Sequence, residues 1–260
     1  MPVFLNDYAT VRHTKLLLMN NLQGLQIDYI GKAITPYQEK FAIPRQPGLA
    51  TSAKGYIELF DKANAQQMVS GIEQYSHLWV IFGFHQTQAQ GWKPSVRPPR
   101  LGGNKKMGVL ATRSTFRPNP IGMSVVKFEG LAVVDKSLRI AISAMDLLNN
   151  TPIIDIKPYV PYSDCVSQAS STFAEKADDE ITVTFCQSLL SKVEQIDGEI
   201  PEFSQLVLQV LSQDPRPAYK KHAIDDKVYG MALYQFNIQW QMKTPNHAHV
   251  TEISPYKHEN

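Results

Sequence analysis

Cysteine is scarce: Cys165 and Cys186 are the two in 260 residues. They stand alone, with no C-x-x-C pair and no disulfide framework, as expected of reduced thiols in a cytoplasmic protein. Long apolar runs are also missing. None approaches the ~18 residues of a membrane-spanning helix. Leu16–Met19, followed by Asn20-Asn21, is far shorter than a signal-peptide core of roughly 7–15 residues. Charged side chains make up 19%, below the roughly 25% of an average soluble protein. The 43% hydrophobic content supports a sizeable core and excludes a disordered or collagen-like chain.

The most informative absence is of acid. From Gln74 to Phe128 there is no Asp or Glu, and within that window sit Lys93, Arg97, Arg100, Lys105, Lys106, Arg113 and Arg117. The formal net charge of +2 conceals this: residues 1–162 carry +8 and residues 163–260 carry −6. Positive charge concentrated in this way is the footprint of a phosphate-bearing partner.

Two nucleotide cradles are absent as well. No Gly-x-Gly-x-x-Gly follows a strand-like run, so the dinucleotide or Rossmann methyltransferase loop is missing. Gly103 and Gly108 have P-loop spacing, but Val109-Leu110 follow where Lys-Ser/Thr is required.

What is present is short-period alternation. Residues 1–24 have no period and read as an N-terminal extension. Residues 25–162 hold strand-like segments after Gln26, at Gly55–Phe60, His77–His85, Val109–Thr112, Met123–Phe128, Leu131–Val134 and Leu138–Ala144. Gly130 and the Asp135–Ser137 stretch are expected to turn between them. His77–His85 is apolar enough for a central strand buried on both faces. One short helix, capped by Asp61, is expected through Met68, Val69 and Ile72. Many short strands without long helical crossovers predict a mainly β domain, a closed or strongly curled antiparallel sheet.

Residues 163–180 are polar and aperiodic, which predicts a linker. Residues 181–245 predict a small α+β domain. Its strand is Ile181–Phe185, and its helix opens at Pro201 with Phe203, Leu206, Val207, Val210 and Leu211 on one face. A single amphipathic strand from Ala232 to Met242 follows. Residues 246–260 read as a mobile tail. His247-Ala248-His249 lies there without a third ligand nearby, and no metal is expected.

Four proline-stiffened segments carry charge. Arg113 and Arg117 lie on Ala111–Gly122, where Pro118 and Pro120 restrict the backbone and lower the ordering cost of binding an anion. Lys40–Gly48 holds Arg45 between Pro44 and Pro47. Asp146–Pro152 leads into Asp155, Lys157 and Tyr159, which a regular strand sends to one side. Asp214–Lys220 repeats the pattern around Arg216.

Taken together, EKFAIPRQPGL, HLWVIFGFHQ, WKPSVRPPRLGG, ATRSTFRPNPIGMSVV, DLLNNTPIIDIKPYVPYSD and DPRPAYK resemble the TsaA-like (TrmO) family over about residues 27–245. These are S-adenosylmethionine-dependent tRNA (adenine-N6)-methyltransferases acting on threonylcarbamoyl-adenosine next to the anticodon. The resemblance implies a small non-Rossmann β-barrel, a homodimer, and cofactor sites near the subunit interface.

Matched by motif, the implied cofactor contacts are Pro44, Arg45, Gln46, His85, Gln86, Arg113, Met123, Asp146, Leu147, Leu148 and Asn149. The family commonly has Asp-Gly where this chain has Asn149-Asn150, which leaves open whether a cofactor contact made by a carboxylate is kept at Asn149; Asn tolerates the left-handed turn. Asp155 and Tyr159 are expected to assist deprotonation of the receiving nitrogen, with Lys157 stabilising negative charge. The tRNA anticodon stem-loop is expected on Lys93, Arg97, Arg100, Lys105, Lys106, Arg117, Arg216 and Tyr219, and the location is expected to be cytoplasmic. The same residues leave open an RNA-binding β-barrel without catalysis, or a methyltransferase for another substrate.

Overall fold

The computed structural model describes residues 25–99, 105–174, 179–217, 220, 224 and 226–257. Six strands close into an antiparallel barrel in the order β1-β2-β7-β6-β3-β8. They are β1 (Gly31–Ile34), β2 (Lys54–Leu59), β3 (His77–Gly83), β6 (Ile121–Val134), β7 (Ser137–Ser143) and β8 (Pro152–Pro158). A two-residue pair, β4 (Ser95–Val96) with β5 (Met107–Gly108), lies outside the ring.

Alternation explains the closure. On β3, Leu78, Val80 and Phe82 are buried, while His77, Trp79 and Ile81 are half-exposed. They align across the sheet with Val126, Ser124 and Gly122 of β6. Ile57, Ile140, Ile142 and Ile153 complete the same interior. The central strand is therefore dry on one face only, the usual outcome for a small barrel filled by its own side chains.

Several sequence expectations change in detail. Met123–Phe128 and Leu131–Val134 belong to one strand, β6, and Gly130 (φ 133°) marks a bulge in it. The chain reverses at Asp135 and Lys136, both at positive φ, as the primed turn of a tight hairpin requires. Val109–Ala111 is a 3-10 turn, not a strand. The helix after Asp61 is a single turn, α1 (Ala65–Met68), followed by a 3-10 turn at Ile72–Gln74. Asp61 Oδ1 accepts from the Ala63 and Asn64 amides, so it stabilises the approach, and Asn64 occupies the helix boundary. Another short turn, α2 (Pro161–Asp164), ends the barrel segment.

The second domain is α+β, with a four-stranded sheet ordered β10-β11-β12-β9. Its strands are β9 (Thr182–Phe185), β10 (Tyr229–Leu233), β11 (Phe236–Thr244) and β12 (His247–Pro255), and its helices are α3 (Leu190–Glu199) and α4 (Phe203–Ser212). The apolar face of α4 is the expected one: Phe203, Leu206, Val207, Val210 and Leu211 are all buried. Pro201 precedes α4 in the connecting turn, and α3 was not anticipated.

Two corrections concern this sheet. The expected single strand from Ala232 to Met242 is a hairpin, turning at Tyr234 (φ 53°). The expected tail at 246–260 contains β12, which pairs with β11 on one side and runs parallel to β9 on the other. Ala248, Val250 and Ile253 are buried there, which is why the segment is held.

The two domains share one core. Ser52 N donates to Gln209 Oε1 of α4 at 2.9 Å. Leu233 bridges to Tyr37, and the Tyr234 amide donates to Pro36 O at 2.7 Å.

Candidate active site

A cavity of about 840 Å³ opens beside the barrel where four connections meet: residues 38–46 after β1, 84–90 after β3, 112–117 before β6, and 146–151 before β8. Each connection is shaped locally. Lys40–Ala42 is a 3-10 turn, and Gly48, at φ 82°, donates its amide to Ala144 O. Phe84 N is held by Pro120 O at 2.8 Å. Asn150 adopts φ 62°, the left-handed conformation open to Asn as well as Gly.

Of the residues expected to hold a cofactor, Pro44, Arg45, Gln46, His85, Gln86, Arg113, Met123, Asp146 and Leu148 line this cavity. Leu147 does not: it is buried in the core, and its carbonyl accepts from Thr35 Oγ1 at 2.8 Å. Asn149 also faces elsewhere, accepting from Thr35 N through Oδ1 and donating through Nδ2 to Gln38 Oε1. Its side chain fixes the loop, so a carboxylate there is not needed for the turn.

Asp146 is the electrostatic centre. Burial pushes its carboxyl above the ordinary aspartate value, while a hydrogen bond with Ser124 and the charge of Arg113 oppose the shift. Its Oδ1 is buried with no hydrogen-bond partner among the described residues. An acceptor left unpaired in this way is costly unless a donor arrives. Arg113 donates to Gln46 Oε1 at 2.6 Å, and Arg117 donates to Thr112 O at 2.6 Å. Arg117, expected on the RNA surface, lines the cavity wall.

The cavity also recruits residues that the sequence did not single out: Gln38, Glu39, Gln90, Gly122 and Ser124. Ser124 had a readable signal, a hydroxyl at an inward position of an apolar strand, 3% exposed. A Cβ on Gly122 would lie 2.5 Å from the Phe82 ring. Glu39 had no signal, since its carboxylate is fixed by the amide of Ala232 in the other domain.

Asp155, Lys157 and Tyr159 are not brought to the cavity. A register shift puts Asp155 opposite Ile81 and Ile153 opposite Phe82. The extra residue turns Asp155 to the outer face, where it pairs with Lys157 at 2.9 Å. Tyr159 packs against Trp79, ring centroids 5.9 Å apart.

The basic set divides as well. Arg97, Lys105 and Lys106 are exposed, and Lys93 Nζ sits 4.2 Å from the Phe116 ring centroid. Arg216 is corrected outright. It is 2% exposed and grips Asp214 with two bonds of 2.7 Å, so it is a buried structural pair and not an RNA contact. Arg100 and Tyr219 lie outside the described residues. Thr184 Oγ1 joins His247 Nε2 and His249 Nδ1, each at 2.8 Å. Among the described residues no group of three or more His, Cys, Asp or Glu is arranged for a metal, and no helix is long and apolar enough to cross a membrane.

Comparison with known proteins follows the same outline. The tRNA-methyltransferase O N-terminal domain matches residues 32–165, and the TrmO C-terminal domain matches residues 178–256. A tRNA (adenine(37)-N6)-methyltransferase of Escherichia coli is 44% identical over 222 residues, covering 85% of this chain and 94% of that protein. A putative S-adenosylmethionine-dependent methyltransferase of Pseudomonas aeruginosa is 40% identical over 86% of this chain and 96% of its own length. The crystal structure of TrmO from Pseudomonas aeruginosa superposes with a TM-score of 0.75 at 33% identity, covering 90% of this chain and 100% of that one. Both domains, their order and their fold agree: the chain belongs to the tRNA-methyltransferase O (TrmO) family.

Proposed function

We propose that this chain is a tRNA (adenine(37)-N6)-methyltransferase that takes its methyl group from S-adenosylmethionine. Its substrate is the threonylcarbamoyl-adenosine next to the anticodon, and it works in the cytoplasm. The observation that carries this reading is the buried, unpartnered Oδ1 of Asp146 beside Arg113, in a cavity walled by the residues expected to hold the cofactor.

The fit is chemical. Asp146 Oδ1 lacks a donor, and the cofactor's ammonium or a ribose hydroxyl supplies one. Arg113 and Arg45 offer planar forks for its carboxylate, while Gln86 offers an amide for the adenine. When bound, S-adenosylmethionine supplies a methyl carbon activated by its sulfonium.

The chain's own work is positioning. Stiff loops would hold the bound methyl donor and the receiving nitrogen in place relative to each other, which is where most of the acceleration would arise. The receiving nitrogen must also lose a proton. Wall groups able to accept it are Glu39, His85 and Asp146, in place of Asp155 and Tyr159 on the outer face.

The tRNA docks through Lys93, Arg97, Lys105 and Lys106. The active form is a homodimer, supported by Met123, 52% exposed at the cavity edge. Met123 shares an outward-facing row with Ile81 and Asp155. Mass spectrometry of nucleosides from tRNA incubated with enzyme and S-adenosylmethionine tests the activity. Methylated threonylcarbamoyl-adenosine is expected; threonylcarbamoyl-adenosine without the added methyl, with the cofactor bound, overturns it.

A further inference from the structure

The turn that walls the cofactor cavity also borders a second cavity. Lys40 lines the first, and Phe41, next in the chain, lines a separate space of about 230 Å³. Phe41 is 53% exposed. The other walls come from the second domain: Pro217, Lys220, Lys227, Tyr229 and Trp240.

Three features set this cavity apart from a packing defect. Its rings are organised: Tyr229 and Trp240 stack with centroids 4.8 Å apart and an interplanar angle of 22°. The charged side chains among the described residues lining it are Lys220 and Lys227, and none of those residues is acidic. Each partly open ring carries a lysine ammonium, Lys227 Nζ at 5.2 Å from the Tyr229 centroid and Lys40 Nζ at 5.2 Å from that of Phe41. In addition, Trp240 is 2% exposed, and its Nε1 has no hydrogen-bond partner among the described residues. An indole N–H only donates, so the missing partner is an acceptor.

An open Phe41 ring beside a stacked aromatic pair, with flanking ammonium groups, matches one ligand chemistry: a nucleobase with its adjoining phosphate. Unpaired RNA bases are recognised by stacking on aromatic side chains and by hydrogen bonds to their edges. We infer that this cavity receives an unstacked base of the tRNA loop, next to the adenosine that enters the cofactor cavity. The base stacks on Phe41 and the phosphate meets Lys227. The proximity is built in, because consecutive residues, with Cα atoms about 3.8 Å apart, line the two spaces. The inference rests on tRNA being the substrate.

Binding of a fluorescently labelled anticodon stem-loop to the full chain, read by anisotropy, is the test. Phe41→Ala is expected to weaken binding about tenfold, within the range of a lost base–aromatic stack. Phe41→Tyr is expected to restore it, and cofactor affinity by calorimetry to stay at the parent value. Lys227→Glu is expected to weaken RNA binding as well, most at low salt. Equal RNA affinity for parent and Phe41→Ala, with the parent methylating the same RNA, overturns the second cavity and leaves the proposed activity standing. Binding that depends on Phe41 without any methyl transfer overturns the activity alone. A parent protein that does not bind the RNA overturns the second cavity too.

Discussion

Arg113 and Gln46 lie 67 residues apart in sequence, yet a 2.6 Å hydrogen bond from Nη1 to Oε1 joins them. The bond ties two proline-stiffened loops across the cavity and holds a guanidinium ready for an anion. Gln46→Ala releases it. Holding one such side chain in place is worth about 0.5–1.5 kcal/mol, so S-adenosylmethionine affinity by calorimetry should fall about 2- to 12-fold, with thermal stability nearly unchanged.

Asp146 sets the pH response of that binding. Burial raises its pKa above the ordinary 3.8. At low pH it is protonated and cannot meet a cationic ammonium as a full charge. Cofactor affinity should therefore rise with pH through this elevated range, and protons should be released on binding. The stability sign is opposite: ionising the buried group costs folding energy, so its penalty grows as pH rises above 3.8. Asp146→Asn should flatten the affinity profile and weaken binding about tenfold or more. An unchanged profile in calorimetry at several pH values refutes the assignment.

Gly122 has no space for a side chain. Its Cβ would meet the Phe82 ring at 2.5 Å and Phe84 at 2.8 Å, both of which line the cavity. Gly122→Ala should cost about 1–3 kcal/mol through overpacking. Lower melting temperature and reduced cofactor affinity are expected together.

The Asp214–Arg216 pair separates stability from RNA binding. Removing one partner strands a buried charge, which costs about 3–5 kcal/mol. Arg216→Met should lower the denaturation midpoint strongly. At a temperature where the variant is still folded, its affinity for the anticodon stem-loop should equal the parent's.

Salt reads the basic window. Each phosphate neutralised contributes about −0.7 to −0.9 to the slope of log affinity against log salt. The double variant Lys105→Glu, Lys106→Glu should bind tRNA more weakly and show a shallower slope. A slope unchanged from the parent would remove these lysines from the docking surface.

The barrel was legible because its strands alternate with period two, and one inward face must be apolar. Strand ends and side-chain faces were not, since a bulge changes the count without altering composition. On β8 the added residue moved Asp155 from the side shared with Ile153 to the outside. On β12 a similar shift at Thr251 separates buried Val250 from buried Ile253 by three residues, and the segment resembled a polar tail. In α3 the stripe is only Val193 and Ile196, too narrow for its period to stand out. Arg113 and Asp146 were accessible through their motifs. The Ser124–Asp146 and Glu39–Ala232 contacts depend on closure and on the second domain, which local sequence does not encode.

The hairpin of the second domain has a mechanical consequence. Gln38 N reaches Ala232 O, Glu39 Oε1 receives the Ala232 amide, and Pro36 O receives that of Tyr234. Gln38 and Glu39 are also wall residues of the cofactor cavity. Any fluctuation that frays the β10–β11 turn thus releases one side of the cavity at the same moment. The lifetime of that wall is set by the opening rate of a hairpin nearly two hundred residues further along the chain, and amide exchange at Ala232 becomes a clock for the site.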